Sequence, residues 1–403
     1  MPSLGKILII VENLPVPFDR RVWMEATTLK SHGYEVTVIC PTGRGYEKTY
    51  ELIEGINIYR HPLPDEVSSA GGYIREYIVA LSWEFRLAFK AMRDRGRFDL
   101  VHICNPPDLL FLVAATLKLL KGSRVIFDQH DLNPEMYETK FGRRDFFYYG
   151  LRLAERLTYA TADAVISTNE SYRSIATGRG GKHPDEVFVV RSGPDLDRFQ
   201  ATSSNDVYRR GRRYLVGYVG VMGEQEGIDH LLRSISHIVS ELNRSDIQFM
   251  LIGGGPAVEE MRALSRRLGI EDYVEFTGRI PDADLLERLS SCDICVNPDP
   301  MTPFNNLSTM NKVLEYMALS KPIVQYDVLE GRRSALDASF YAKDEYDFAI
   351  KIIDLLEDEE QRLRMGAYGR QRMVEELEWK HQAAKLLQAY SKAMLGKNGN
   401  ASP

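Results

Sequence analysis

The chain is poor in cysteine, in long apolar runs and in surplus charge of either sign. Four cysteines among 403 residues (Cys40, Cys104, Cys292 and Cys295) are too few for a disulfide scaffold. Cys292-Asp-Ile-Cys295 has a redox or zinc spacing, but no second pair exists to complete a metal site. It opens the strand-like run Ile294-Cys295-Val296, so buried core residues are the expected reading. No apolar run approaches the ~20 residues that span a bilayer. Residues 7–11 are apolar, yet only one lysine precedes them and no small-residue cleavage site follows, so they read as a first strand and not as a leader. The expected location is cytoplasmic. A formal net charge of −6 gives no reason to expect nucleic acid as a partner. What is present, 44% hydrophobic and 27% charged residues, fits a soluble globular protein, and the length suggests two domains.

Short apolar runs alternate with amphipathic stretches along the first half. Strands are predicted at 6–12, 35–41, 100–105, 125–128, 164–168 and 187–191, with helices at 21–32, 73–93 and 146–159 among them. Such alternation implies a parallel sheet covered on both faces. The polar stretch 201–206, followed by Arg209, Arg210, Arg212 and Arg213, reads as an exposed connection. The pattern restarts at Tyr214, with strands at 215–220, 248–252, 274–277, 294–297 and 323–327 and helices at 229–241 and 256–268. The expected fold class is α/β: two Rossmann-like, doubly wound domains, 1–200 and 201–378, facing each other across a cleft that holds the ligand. A final helix, 379–395, has no strand after it, and the tail from Gly396 is expected to be disordered.

Residues 307–324, Leu-Ser-Thr-Met-Asn-Lys-Val-Leu-Glu-Tyr-Met-Ala-Leu-Ser-Lys-Pro-Ile-Val, carry the most chemistry. Ser308 and Thr309 are helix-starting residues, and Val313, Leu314, Met317 and Ala318 are spaced for one buried face. A helix start offers unpaired N–H groups and partial positive charge to a phosphate. Lys312 lies about one turn in, with Glu315 three residues on, so a phosphate reader stands beside a carboxylate able to accept two ribose hydroxyls. Taken alone, a surface ion pair of Lys312 with Glu315, and Ser308 or Thr309 as a simple cap, would be the commoner arrangement, and the rest of the chain decides against it.

Other candidates sit at predicted strand ends. Gly220-Val221-Met222-Gly223 and Gly253-Gly254-Gly255 are turns where backbone could approach a ligand, or plain tight turns. Gly278-Arg279-Ile280-Pro281 could meet a base edge, or Arg279 could be a surface charge. His130, in Asp128-Gln-His-Asp, could donate a hydrogen bond or move a proton, or merely cap a loop. His102 lies inside a strand pattern, where structural duty is the default. Asp19, Arg20 and Arg21 follow the first strand. Two arginines at a helix start oppose the helix dipole, which points to an anionic partner, with a salt bridge to Asp19 or Glu25 as the competing explanation. No metal site stands out: Asp195-Leu-Asp197 and Asp282-Ala-Asp284 occupy loop and helix-cap contexts. Lys140-Phe-Gly-Arg-Arg-Asp-Phe-Phe-Tyr-Tyr149 could touch a bilayer surface, but burial of Phe146, Phe147 and Tyr149 is the favoured reading.

The segment Ser308-Thr-Met-Asn-Lys-x-x-Glu-Tyr-Met-Ala-x-x-Lys-Pro-Ile-Val324 resembles the nucleotide-sugar signature of the family 4 retaining glycosyltransferases of GT-B fold. The likeness extends over nearly the whole chain, through the Gly220 and Gly253-Gly254 turns, Phe276-Thr-Gly278-Arg279 and Trp379 in the last helix. It implies an enzyme that moves a sugar, without a metal or other cofactor, from a nucleoside diphosphate sugar, UDP-linked by preference, to a saccharide, lipid-linked or small-molecule acceptor. Surface polysaccharide or glycoconjugate assembly is the implied setting, with a peripheral contact at the inner face of a membrane as a further partner. The resemblance puts Glu315 on the ribose, Ser308, Thr309, Met310 and Asn311 on the diphosphate, Arg279 and Ile280 on the base, and His130 on the sugar. It also implies that helix 379–395 packs back on the first domain. Three positions depart from the family pattern. Leu307 stands where a first glutamate is usual, Val221 and Glu226 stand where an arginine and a lysine neutralise phosphate, and Pro17-Phe18-Asp19 replaces a double glycine. Lys312, with Arg20 or Arg21, is expected to replace the missing cations. An epimerase of the same fold and a non-catalytic nucleotide-sugar binder are the alternatives.

Overall fold

A computed structural model describes residues 3–62 and 70–395, without the side chains of 70–78 and Glu224. The tail from Gly396 lies outside the described residues. The chain divides into two compact units. One runs to Ser192 and takes the chain up again from Gln382, and the other is Gly193–His381.

The strands of the first unit are β1 (Lys6–Val11), β2 (Glu35–Pro41), β3 (Tyr50–Ile53), β4 (Ile56–His61), β5 (Leu100–Cys104), β6 (Arg124–Gln129), β7 (Ala164–Ser167) and β8 (Val187–Val189). They form one sheet in the order β3-β4-β2-β1-β5-β6-β7-β8, with β3 antiparallel to β4 and every other pair parallel. The central strands are buried along nearly their whole length, which is why they read as unbroken apolar runs such as Ile7-Leu-Ile-Ile-Val11. Strands β3 and β4 escaped sequence reading. They form a hairpin through Glu54 and Gly55, both at positive φ (48° and 77°), the backbone of a two-residue turn. The Gly55 turn between Leu52-Ile53 and Ile56-Asn-Ile58 was the available signal. The helix Trp379–Leu395 joins this unit from Gln382 on, burying Tyr390, whose hydroxyl lies 2.6 Å from His102 Nδ1.

The second unit contains β9 (Tyr214–Val219), β10 (Ile247–Ile252), β11 (Val274–Gly278), β12 (Ile294–Asn297), β13 (Ile323–Tyr326) and β14 (Ser339–Ala342), all parallel, in the order β11-β10-β9-β12-β13-β14. Only the four-residue β14 was missed in the sequence. Cys292 and Cys295 are buried and free, and a Cβ on Gly217 would lie 2.4 Å from Cys292 Sγ, so that strand-to-helix contact needs glycine.

One expectation fails outright. Phe146, Phe147 and Tyr149 are not buried: they are 86%, 43% and 63% exposed. The helix Phe146–Thr161 instead turns Tyr148, Glu155, Thr158 and Tyr159 inward.

Candidate functional site

In open parallel sheets ligands bind beyond the carboxyl ends of the strands, where strand order reverses direction. In the second unit that point lies between β9 and β12. A buried cation occupies it. Lys312 Nζ sits 2.9 Å from Glu226 Oε2, in the turn after β9, and 2.9 and 3.1 Å from the two oxygens of Asp299, in the turn after β12. The Tyr218 ring lies 5.3 Å beneath the ammonium. Burial opposes the Lys312 charge, but Asp299, Tyr218 and Glu226 outweigh it and raise its pKa. Asp299 is pushed up to about 7 by burial and by Glu226, with Lys312 opposing. Both directions follow from one geometry: a single cation shared by two carboxylates in a dry place.

This placement changes the reading of Lys312. It is not a free ammonium awaiting phosphate, because two carboxylates of its own chain already hold it. Glu226 was read as a lost lysine, and Asp299 was not singled out at all. The tract Pro298-Asp-Pro300 has no periodicity to mark it. Only the crossing of the chain at β9 and β12 brings these residues together.

The helix start also shifts. A short helix, Pro303–Leu307, is capped by Thr302, whose hydroxyl accepts from Asn305 N at 3.0 Å. Ser308 ends that helix and donates to Phe304 O at 2.9 Å, so it does not open the next one. The signature helix is Asn311–Ala318, and its N-cap is Met310, which makes no side-chain cap. Tyr316 pins this helix in place. Its hydroxyl accepts from Val219 N at 2.9 Å and donates to Val296 O at 3.2 Å, clasping the ends of β9 and β12. Glu315 is half-buried on the same helix, whereas Arg279 is exposed and Ile280 packs partly against the apolar core.

The glycine turns pack against one another. Met222 N donates to Gly254 O at 2.9 Å and Gly253 N to Gly278 O at 3.1 Å. A Cβ on Gly253 would fall 1.9 Å from Gly220 O, and one on Gly220 would fall 3.2 Å from Lys312 Cε. The Gly220 turn therefore lies against the far end of the Lys312 side chain, which extends from the first turn of the signature helix. At Gly254 a Cβ would meet nothing within 4 Å. Tight backbone packing thus explains Gly253, while Gly254 faces open space. Val221 is 62% exposed at the same turn.

The first unit reverses between β1 and β5, and there too a buried cation lies among carboxylates. Arg21 reaches both oxygens of Asp128, from Nη2 at 2.8 Å and Nε at 3.0 Å, with Glu25 at 3.2 Å. Its Nη1 donates to Val190 O at 2.9 Å and Ser192 Oγ at 3.0 Å. The competing explanation for the paired arginines is thus the one seen for Arg21: its anions are internal. Arg20 is exposed. Asp19 is the N-cap of helix Arg20–Ser31, accepting from Val22 N at 3.1 Å. Burial opposes the Asp128 charge, but Arg21 and the neighbouring histidines outweigh it and hold its carboxyl well below the usual range. Burial and then Asp128 push Glu25 well above it, with Arg21 opposing.

His130 follows β6, and its Nε2 lies 2.5 Å from Asp128 Oδ2. Arg21 Nε lies 3.1 Å from the same Nε2, so that edge of the ring is shared between Asp128 and Arg21. The ring is then held by Asp128 with Nδ1 left to meet a ligand, the carboxylate–imidazole arrangement that orients a proton carrier. His130 N donates to Asn105 Oδ1 at 2.7 Å, fixing the backbone. His102, Cys104 and Asp128 bring one ligand atom each within 4.8 Å of one another, a metal-like grouping that sequence spacing did not reveal. Arg21 holds both Asp128 oxygens and His102 Nδ1 faces Tyr390, so Asp128 is already committed to Arg21, while His102 Nε2 is buried without a hydrogen-bond partner.

Sequence profiles match both units. The family described as "Glycosyl transferases group 1" matches residues 213–358, and the "Glycosyl transferase 4-like domain" matches residues 19–193. The alpha-maltose-1-phosphate synthase of Mycolicibacterium smegmatis is 28% identical over 298 residues, covering 68% of this chain and 74% of that one. Spore coat protein SA of Bacillus subtilis is 24% identical, covering 96% of this chain and 98% of its own. Among solved structures, the sucrose-phosphate synthase of Thermosynechococcus elongatus superposes with a TM-score of 0.80 at 18% identity, over 98% of this chain and 100% of that one. Anabaena HepE in complex with UDP and glucose gives 0.72 at 16% identity, over 96% and 99%.

Proposed function

Because the chain belongs to the family 4 glycosyltransferases of GT-B fold, we propose that it moves a sugar from a nucleoside diphosphate sugar, UDP-linked by preference, to an acceptor hydroxyl with retention of configuration. One observation carries this reading: helix Asn311–Ala318, with no side-chain cap from its N-cap Met310, is tied by Tyr316 to the ends of β9 and β12 and lays Lys312 against the Gly220 turn, where the strand order of the second unit reverses. A helix amino end at such a point presents N–H groups and partial positive charge to a diphosphate. Glu315, one turn in, is the carboxylate for the ribose hydroxyls, and Arg279 and Ile280 lie after β11 for the base. Anabaena HepE, which shares the fold, carries UDP in its solved complex.

The departing diphosphate gains negative charge as the bond from anomeric carbon to phosphate oxygen breaks. The helix amino end stabilises that charge without a metal or other cofactor. The acceptor oxygen attacks the same face, and its proton passes to the leaving phosphate oxygen, so no separate strong base is required. His130 Nδ1 is the group of the first unit assigned to a sugar hydroxyl. The acceptor class is a saccharide, a lipid-linked sugar or a small molecule, in surface polysaccharide or glycoconjugate assembly.

Lys312 is assigned a modified role. Its charge is balanced by Glu226 and Asp299, so it positions the two turns and reaches phosphate only if a carboxylate yields. Titration of the whole chain with UDP tests both parts. Glu315→Ala is expected to weaken UDP binding at least about tenfold, the loss of a charged hydrogen bond. Glu226→Gln, which removes one competitor for Lys312, is expected to strengthen it. Undiminished binding by Glu315→Ala would refute the ribose assignment.

A further inference from the structure

We propose that the first unit binds inorganic phosphate or a small phosphate monoester in a cavity at the amino ends of its strands, the end of the sheet opposite to His130. The cavity measures about 110 Å3, and Lys6, Lys30, Arg95, Glu35, Thr37 and Asn57 supply its polar lining. Strand register gathers four of these. Lys6 pairs with Glu35 and Leu8 with Thr37 across β1 and β2, and Thr37 pairs with Asn57 across β2 and β4. Paired residues of parallel strands share a face, so Lys6, Glu35, Thr37 and Asn57 lie together. Lys30 arrives from the last turn of helix Arg20–Ser31, and Arg95 ends helix Ala70–Arg95. Three cations against one carboxylate leave two positive charges, in a chain whose net charge is −6.

Basic residues at helix carboxyl ends can serve the helix dipole alone. Lys30 is not used that way. The Thr28, Leu29 and Lys30 carbonyls already accept from the amides of His32, Tyr34 and Gly33 at 3.2, 3.1 and 3.1 Å. Lys30 Nζ has no hydrogen bond or ion pair among the described residues. Its stem instead lies on the hairpin turn, where a Cβ at Gly55 would fall 2.9 Å from Lys30 Cε. Lys6 Nζ donates to Arg95 O at 2.6 Å and stands 3.6 Å from Glu35 Oε2. Arg95 Nη2 donates to the Tyr50 hydroxyl, which donates to Asn57 Oδ1 at 2.9 Å. That leaves the Asn57 amide nitrogen and the buried Thr37 hydroxyl without a side-chain partner among the described residues.

Size and charge select the ligand. At ~30 Å3 per water the cavity has room for a few waters, enough for a phosphate group. A sugar nucleotide needs a pocket of about 300 Å3 or more. A phosphate monoester carries about −1.5 to −2 charge near neutrality, which the positive surplus balances. Its tetrahedral oxygens can meet donors arriving from three strands and two helices, whereas a carboxylate offers two oxygens in one plane.

The test is calorimetric titration of the whole chain with inorganic phosphate, and separately with methyl phosphate, in chloride buffer at constant ionic strength. The wild type is expected to bind inorganic phosphate. Lys30→Ala with Arg95→Ala is expected to weaken binding at least about tenfold. Both side chains are exposed, so the double variant should unfold at the wild-type temperature. Glu35→Gln is expected to tighten binding several-fold, a gain that a folding defect does not produce. Equal affinity for methyl phosphate assigns the site to monoesters, and its rejection assigns the site to the free ion. Absence of phosphate binding by the wild type overturns the proposal. So does wild-type affinity in the double variant, since the phosphate would then sit elsewhere, as at helix Asn311–Ala318. No sugar nucleotide enters the assay, so its outcome is independent of the transferase reading.

Discussion

Lys312 and Arg21 show what single residues do here. Each is a buried cation shared between two carboxylates, at the point where strand order reverses in its unit. Removing one member of such a group leaves charge buried and uncompensated. Lys312→Ala is therefore expected to lower unfolding free energy by about 3–5 kcal/mol in urea titration. Lys312→Met with Glu226→Gln and Asp299→Asn is expected to recover most of that loss, since no net charge stays buried. Loss of turnover in Lys312→Ala alone thus does not establish contact with substrate. Asp299 adds a pH signature. Its carboxyl holds a proton to about pH 7 when folded and to about pH 4 when unfolded, so the folded state binds the extra proton between them. The wild type should lose stability relative to Asp299→Asn as pH rises from about 4 to about 7, read from melts across that range. A difference that is flat with pH would contradict the assignment. Lys312, Glu315 and His130 were legible as candidates because residue type and motif spacing name them. Glu226 and Asp299 were not, because partnership across two strand ends leaves no mark in local sequence.

Among the elements, strands written as unbroken apolar runs were the most legible, and the hairpin strands β3 and β4 and the short β14 the least. Strands β1, β2, β9 and β12 are continuous apolar runs because both faces are covered. Strands β3 and β4 alternate or are short, and their turn is signalled by one glycine. The signature helix was found by its period, but its start moved from Ser308 to Asn311. Of the hydroxyls that suggested a cap, that of Ser308 donates to Phe304 O in the preceding short helix. Two substitutions probe how these pieces are held. Tyr316→Phe removes the acceptor for Val219 N and the donor to Val296 O, and is expected to cost about 1–3 kcal/mol in denaturant unfolding. Gly253→Ala would drive its methyl into Gly220 O and is expected to melt well below the wild type. Gly254→Ala meets open space and should melt as the wild type does while weakening UDP binding. A normal affinity in Gly254→Ala would remove that turn from the donor site.

Over the whole molecule, two Rossmann-like units repeat one plan, and the proposed function rests on what each sheet holds beyond the carboxyl ends of its strands. The second unit offers a helix amino end, a glycine turn and Glu315. The first offers a histidine oriented by Asp128. Two Rossmann-like units were legible because alternating strand and helix signals restart after a polar stretch. The outward apolar stripe on Phe146–Thr161 was misread because periodicity reports a face and not which side of it meets water. The central claim is that the amino end of helix Asn311–Ala318 holds a diphosphate while Glu315 holds the ribose. A crystal of the whole chain soaked with UDP tests it most directly. The account predicts pyrophosphate oxygens within hydrogen-bond distance of the Asn311 and Lys312 amides and both ribose hydroxyls on Glu315. UDP bound elsewhere, with Glu315 turned away from it, would contradict the account.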